Sequence, residues 1–201
     1  MSTSGRPHGD ARKERILDVA LKTFADNGFR GASIAEIADR CGLSQPGLLH
    51  HFPSKAALLA AVLDHRDRLD AERLGFGEEL RGAEALERLA TLVEHNAQLP
   101  GLVRLFTVVT GEAVAEGHPA HDWAVRRYRA LEGFLARALE AGVADGTLAP
   151  GIDAAAVARQ VFAMMDGLQS QWLLDPSSAD MPALFRDYIE QLIARISVAG
   201  N

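Results

Sequence analysis

Side chains suited to chemistry gather in residues 33–55, where amide, hydroxyl, imidazole and ammonium groups lie close together in the sequence. Gln45 carries an amide that can form paired hydrogen bonds with an adenine, and Pro46 and Gly47 offer small apolar surfaces to a thymine methyl group. Lys55 supplies a positive charge of the kind that binds phosphate. These residue types favour nucleic-acid recognition over bond-breaking chemistry.

Signatures of catalysis and of metal binding are weak throughout the sequence. It holds no Gly-x-x-x-x-Gly-Lys loop, no His-Glu-x-x-His motif, no Gly-x-Ser-x-Gly elbow and a single cysteine, Cys41. His118, His121 and Asp122 have ligand types that suit zinc, but they flank a Gly-Pro break and are interpreted as a solvated helix entry. We expect no enzymatic activity, no cofactor and no metal.

The elements that must position the chemistry-bearing side chains are short helices. Residues 33–52 read SIAEIADRCGLSQPGLLHHF, which predicts two helices joined by a glycine-containing turn, as in a helix-turn-helix. Ser33 and Glu36 have the spacing of a capping box, Ser44 caps the second helix, and Gly42 lies where the turn requires a positive φ. The residues expected to face inward are Ile34, Ile37, Ala38, Leu43 and Leu48. On these residues alone, a plain helical hairpin stays open as an alternative.

Helical spacing continues along the rest of the chain, and no strand-like alternation interrupts it. The first helix is predicted from a cap at Asp10 to Asn27-Gly28, and the fourth from a cap at Ser54 to about Leu74, before the linker Gly75-Phe76-Gly77. Further helices are predicted near residues 83–98, 101–116, 119–142, 153–175 and 180–198. We therefore predict an all-α protein of about nine helices, with a three-helix head at residues 1–54 and a bundle at residues 55–201.

Charge is unevenly distributed along the chain, whose net value is −6. Residues 1–55 carry a net charge of +2, and residues 56–201 carry −8. This asymmetry has the sign expected for an N-terminal head that meets phosphate and a body that does not. Apolar runs are too short to span a membrane, and the N-terminus lacks the features of a signal peptide, so a cytoplasmic protein is expected.

Residues 12–63 carry a specific family resemblance. They read RKERILDVALKTFADNGFRGASIAEIADRCGLSQPGLLHHFPSKAALLAAVL. Five features of this segment resemble the head of TetR-family bacterial regulators. They are the first helix with Ile-Leu and Ala-x-x-x-Phe, the Asn-Gly stop, the Ser-capped Ile-Ala helix, the Gly-Leu-Ser turn and the final Phe-x-x-Lys. The resemblance implies a homodimer whose two heads occupy successive major grooves of a palindromic operator. It also implies a small-molecule effector, of unknown identity, that binds in the body and changes the spacing of the heads.

The resemblance, together with helix-turn-helix geometry, selects candidate DNA contacts. The first turn of the recognition helix is expected at the base edges. The N-termini at Ser33 and near Lys55 direct free N–H groups at phosphates, and His50 and His51 match phosphate contacts of the family. Leu49 stands where the family usually has a tyrosine, so one typical hydroxyl anchor is missing. The complete candidate set is Ser33, Ser44, Gln45, Pro46, Gly47, Leu49, His50, His51 and Lys55.

The body is predicted to hold the dimer interface and the effector pocket. The resemblance places the interface on the last two helices, whose apolar residues include Phe162, Met165, Trp172, Phe185, Tyr188 and Leu192. On sequence alone, internal core helices of a monomer are the alternative. Pockets are mostly apolar with a few placed polar groups. The pocket candidates are His95, Gln98, Phe106, Thr110, Trp123, Tyr128, Met165 and Gln169.

The leading hypothesis is a ligand-responsive transcriptional regulator, most simply a repressor released from double-stranded DNA by a small molecule. A helical small-molecule-binding or enzymatic bundle, whose head does not read DNA, is the alternative from another class. It is favoured by the small positive charge of the head and by Leu49. A third hypothesis is a DNA-binding dimer without an effector.

Overall fold

The computed structural model describes residues 6–76 and 79–198, and their regular structure is helical apart from isolated bridge residues, among them the antiparallel pair Leu148 and Ser197. The described residues form nine helices, which confirms the predicted fold class. They are α1 (Arg6–Gly31), α2 (Ile34–Arg40), α3 (Gln45–His51), α4 (Lys55–Leu74), α5 (Ala83–Ala97), α6 (Pro100–Ala113), α7 (His121–Ala144), α8 (Ala154–Leu174) and α9 (Met181–Ile196).

The helix bounds agree with the sequence-based predictions to within a few residues. The largest difference is at the start of α1, which begins at Arg6 rather than at Asp10. The side chain of Asp10, the predicted cap, and Gly77 of the predicted linker lie outside the described residues. Side-chain caps explain several of the other boundaries. Asp153 and Asp180 accept hydrogen bonds from the amides of Ala156 and Ala183 and so begin α8 and α9.

The chain forms two compact units. The N-terminal unit contains the residues up to Arg68 together with Arg104–Ala124, and the C-terminal unit contains Leu69–Val103 and the residues from Val125 onward. The helices α4, α6 and α7 each contribute residues to both units. The units therefore share continuous backbone in three helices.

The N-terminal unit is built around the apolar stripe of α1. Ile16, Ala20 and Phe24 are all buried, as the helical spacing predicts. At Gly28 the φ angle is 66° and the ψ angle is −179°, so the helical path breaks there even though Gly31 ends the element. The break confirms that Asn27-Gly28 interrupts the helix.

The C-terminal unit has its own apolar core. Helix α9 packs against both α5 and α8. The core includes Leu86 and Leu89 of α5, Leu135 of α7, and Phe185 and Ile189 of α9. Within the described residues, no helix combines the length and apolar character that crossing a membrane requires.

Candidate nucleic-acid interface

The turn between α2 and α3 holds the two helices as a helix-turn-helix. Gly42 has a φ angle of 68°, the left-handed conformation that the turn requires and that glycine adopts without strain. Ile37 and Ala38 of α2 and Leu48 of α3 are buried together in the N-terminal unit. Because Leu48 is fully buried, one face of α3 is fixed against α2 and the opposite face points outward.

The N-terminal turn of α3 is the exposed part of the motif. The hydroxyl of Ser44 accepts a hydrogen bond from the amide of Gly47 at 3.2 Å, which confirms Ser44 as the cap. Ser44, Gln45 and Pro46 are exposed, whereas Gly47 is half-buried. The amide of Gln45 is thus presented to solvent at the end of α3 that a recognition helix directs at base edges.

The predicted capping box at the start of α2 is wrong. Ser33 does occupy the cap position and is exposed, but its side chain makes no capping hydrogen bond. Glu36 instead pairs with Arg40, one turn further along α2, at 3.5 Å. The free amide groups at the start of α2 therefore have no capping bond from Ser33.

Lys55 has a structural role that its sequence position did not reveal. Its ammonium nitrogen donates to the carbonyl oxygens of Arg30 at 3.3 Å and Ala32 at 3.0 Å, and it lies 4.7 Å from the ring centroid of Phe29. Two of the three ammonium donors are thereby directed at the segment that joins α1 to α2. Lys55 holds this segment, and phosphate binding would use the remaining donor.

The second half of α3 carries two imidazole side chains and one apolar side chain. His50 is exposed, and its ring centroid lies 5.9 Å from that of the half-buried His51 in an edge arrangement. Leu49 is half-buried, so part of its side chain reaches the surface. All three side chains lie on the helix whose first turn carries Gln45, and their contacts with DNA stay predictions.

The predicted interface residues on α8 and α9 differ in burial. Phe162, Phe185 and Leu192 are buried in the core of the C-terminal unit, and their contact with a second copy stays a prediction. Met165, Trp172 and Tyr188 are half-buried and pack against this core. On α8 and α9 the exposed large apolar side chains are Met164, Leu174 and Leu184, and Gly167, three residues after Met164, is half-buried. We call these four residues the open face.

Two family models match the sequence of this chain. The model described as bacterial regulatory proteins of the tetR family matches residues 16–62. The model of the C-terminal part of BetI-type transcriptional repressors matches residues 83–194, which is more than half of the chain. The chain belongs to the TetR family. The family resemblance of residues 12–63 is therefore confirmed.

Curated relatives and solved structures are similar to this TetR-family chain. The regulator RutR of Escherichia coli K12 is 34% identical over 144 residues, which cover 70% of this chain and 66% of RutR. The match spans just under two thirds of the length of the first curated relatives. A TetR regulator from Chloroflexus aurantiacus superposes with a TM-score of 0.83 at 20% identity, covering 96% of this chain and 99% of that one.

A second solved structure is more similar in sequence. It is a putative transcriptional regulator from Saccharomonospora viridis in complex with choline, which is 26% identical with a TM-score of 0.76. The superposition covers 94% of this chain and 99% of that one. The fold of this TetR-family chain is thus shared along nearly its whole length.

The predicted effector residues fall into both units. In the N-terminal unit, the rings of Phe106 and Trp123 stack with centroids 6.1 Å apart, and Trp123 donates to Asp67 at 2.7 Å. The hydroxyl of Thr110 donates to the carbonyl oxygen of Phe106 at 2.6 Å, within its own helix. Both aromatic rings are buried.

In the C-terminal unit, the pocket candidates differ in burial. Gln98 is exposed at the end of α5, which argues against a place in a closed pocket. His95, Met165 and Gln169 are half-buried. Tyr128 donates its hydroxyl to Asp166 at 2.6 Å, a short charge-assisted hydrogen bond between α7 and α8. Asp166 was missed from sequence because a single carboxylate on an apolar helix carries no signature of its partner.

Asp166 is a carboxylate of this unit whose pKa is shifted by its surroundings. Burial raises the pKa of Asp166 above its ordinary value, although the Tyr128 hydroxyl and the Arg127 charge act in the opposite direction. A carboxyl with a raised pKa binds its proton more tightly in the folded state. The resulting stability is present at low pH and is lost as the pH rises through the raised pKa.

We expect Asp166→Asn to increase the free energy of unfolding at pH 7, because the amide oxygen still accepts from Tyr128 and no buried charge remains. The gain should disappear near pH 3.5, which is below the ordinary aspartate pKa of about 3.9. There the Asp166 carboxyl is mostly protonated, so it is as uncharged as the amide that replaces it. Denaturant unfolding at the two pH values measures the difference. Asp64→Asn, at an exposed position of α4, is the matched control for the loss of a carboxylate. A destabilised Asp166→Asn at pH 7 would contradict the prediction.

Proposed function

We propose that this chain is a ligand-responsive transcriptional regulator that binds a palindromic operator as a homodimer, acts as a repressor, and is released by a small molecule. The mechanism is a population shift. DNA favours one separation of the two heads, the effector favours another, and each ligand weakens the binding of the other. Residues 1–54 read the operator in this proposal, and residues 55–201 bind the effector and the second copy.

The observation that carries the proposal is the outward presentation of the first turn of α3. Gln45 and Pro46 are exposed at the N-terminal end of a helix whose Leu48 is fully buried. A recognition helix requires this combination, because the buried side anchors the helix while the free end enters the major groove. We place the base contacts at Ser44, Gln45, Pro46 and Gly47, and the phosphate contacts at Ser33, His50, His51 and Lys55.

The test is binding of the full chain to the DNA upstream of its own gene. Fluorescence anisotropy with labelled duplexes at two salt concentrations should reveal a bound state whose affinity falls steeply as salt increases, since phosphate contacts release counterions. A protein that binds no palindromic duplex at low salt would refute the proposal and favour the bundle that does not read DNA. A bound complex that no compound releases would instead favour a regulator without an effector.

A search for the effector can begin with cations. Asp166 and Tyr128 form a partly buried carboxylate–phenol pair, a chemistry that suits a quaternary ammonium group. The similar Saccharomonospora viridis regulator is described in complex with choline. Thermal shift with choline, compared with its neutral isostere 3,3-dimethylbutanol, separates recognition of the charge from recognition of the shape.

Replacing Gln45 tests the assignment of base contacts. We expect Gln45→Ala to lower affinity by about 1–3 kcal/mol for the preferred operator and to flatten the preference at one base position, because a bidentate amide–base pair is lost. Affinity for operators already mutated at that position should change little. The matched control is Gln98→Ala, which removes an exposed glutamine from the other unit. Equal loss on every operator variant would show that Gln45 does not read a base.

A further inference from the structure

The break in α1 creates a backbone group that needs a partner. Gly28 adopts a φ angle of 66°, so the amide of Phe29, the next residue, departs from the regular helical path. That amide donates to the carboxylate of Glu112 on α6 at 2.7 Å, across 83 positions of sequence. Both residues belong to the N-terminal unit. Glu112 thus caps the interrupted helix by a long-range bond to an ionised acceptor, a strong type of hydrogen bond.

Gly28 and Glu112 fit each other closely. A Cβ atom at position 28 would lie 2.5 Å from one oxygen of the Glu112 carboxylate, closer than any real contact of that kind. The positive φ favours glycine at position 28, and the end of the flexible Glu112 side chain fills the space where a Cβ atom would lie. Any side chain at position 28 would push Glu112 away from the amide of Phe29.

The ring of Phe29 extends this contact to the DNA-binding side. The Lys55 ammonium lies 4.7 Å from the ring centroid on one side, and the His118 ring meets Phe29 edge-on at a centroid distance of 5.3 Å. Lys55 also donates to the carbonyl oxygens of Arg30 and Ala32, directly before α2. The position of Phe29 therefore sets the position of the segment that leads into the helix-turn-helix.

His118 lies beside Glu112. Its side chain is 4% exposed, so the predicted solvated helix entry is wrong for His118, whereas His121 and Asp122 are exposed as predicted. Its Nδ1 accepts from the amide of Ala120 at 3.2 Å, so Nε2 carries the hydrogen and lies 3.7 Å from a carboxylate oxygen of Glu112. His121 contacts a different group, the carbonyl oxygen of Ala113, at 2.9 Å.

We propose that Glu112 is a positioning residue for DNA binding, acting through the amide of Phe29 on Lys55 and the entry of α2. The inference rests on the proposed function. Helix α6 begins in the C-terminal unit and carries Glu112 in the N-terminal unit. A displacement of α6 that follows effector binding would thus withdraw the carboxylate from Phe29 and loosen the segment before the helix-turn-helix.

The experiment compares Glu112→Ala with Glu112→Gln in the full chain. Hydrogen exchange of the Phe29 amide is measured in the free protein, and anisotropy measures affinity for an operator duplex. We expect Glu112→Ala to accelerate exchange and to weaken binding, each about tenfold or more, the factor that corresponds to loss of a hydrogen bond to a charged group. Glu112→Gln keeps an acceptor and should restore most of both properties. Glu116→Ala, an exposed acid in the same unit, is the matched control.

A second variant keeps the test decisive if Glu112→Ala folds poorly. Gly28→Ala should displace the carboxylate, accelerate exchange at Phe29 and weaken operator binding. The variant that combines Gly28→Ala with Glu112→Ala should lose less binding free energy for the operator than the sum of the two single losses. Faster exchange with unchanged affinity would overturn the positioning role, and so would unchanged exchange in Glu112→Ala. Failure of the wild-type chain to bind any duplex would refute the proposed function instead, and the exchange measurement, which involves no DNA, distinguishes the two failures.

Discussion

A variant with glutamate at both Met164 and Leu184 is expected to be monomeric and to bind operator DNA at least about 100-fold more weakly than the wild-type chain. Two linked heads raise apparent affinity by about 10²–10⁴ through effective concentration, and this gain vanishes when the heads separate. Met164 is 40% exposed and Leu184 is 47% exposed, so charges placed there would cost little in the free protomer. Burying the same charges against a second copy would oppose association.

Size-exclusion chromatography with light scattering measures the mass of this variant, and anisotropy measures its affinity for DNA. Val114→Glu provides the control, since Val114 is an apolar residue, 83% exposed, in the N-terminal unit. That control should keep the mass and the affinity of the wild-type protein. A double variant that stays dimeric would show that the open face is not the interface.

Truncating Leu48 is expected to be the most damaging change within the head. Leu48 lies on the face of α3 that packs against α2 and is fully buried there. Leu48→Ala should therefore lower the free energy of unfolding by about 2–5 kcal/mol through lost burial and a new cavity. Binding to every DNA sequence should fall with it, because α3 loses the contact that fixes its orientation. Denaturant unfolding followed by circular dichroism measures the first effect.

Leu49→Ala is the matched control, because the neighbouring leucine is only half-buried. Its free energy of unfolding should change much less than that of Leu48→Ala. Equal destabilisation by the two substitutions would contradict the assignment of Leu48, rather than Leu49, as the anchor of α3.

Local features of the fold were predictable because they depend on residues that are close in sequence. Gly42 and Ser44 define the turn and the start of α3 through their own φ angle and hydroxyl group, and both were identified correctly. The helix ends were predicted to within a few residues for the same reason. The capping box failed because Glu36 had a second partner, Arg40, at an equally local spacing.

Features that depend on distant residues were not predictable. The contact between Glu112 and the amide of Phe29 joins positions 83 residues apart and leaves no pattern in either segment. His118 was assigned to solvent because Gly-Pro breaks are usually exposed, yet its side chain is buried beside Phe29. Buried position and partner are properties of the packed chain, which helical periodicity does not encode.

The predicted interface residues show what hydrophobic periodicity can predict and what it cannot. Apolar spacing identified α8 and α9 as helices that are hydrophobic around much of their circumference. It could not tell which stripe meets the protomer core, so the largest residues, such as Phe185, were assigned to the interface although they are fully buried. Smaller and less conspicuous residues, such as Gly167, lie nearer the surface.

The exposure of Ser44, Gln45 and Pro46 separates what this protein recognises from what keeps it folded. Gln45 and Pro46 add nothing to the buried set that holds α3, so exchanging their side chains would leave the scaffold's thermodynamics almost unchanged. New operator preferences are therefore accessible through substitutions at exposed positions, with the smaller folding cost expected at Gln45 because Pro46 lies in the first turn of α3. A combinatorial library at Gln45 and Pro46, with the Ser44 cap retained, would sample alternative DNA sequences on one unaltered framework.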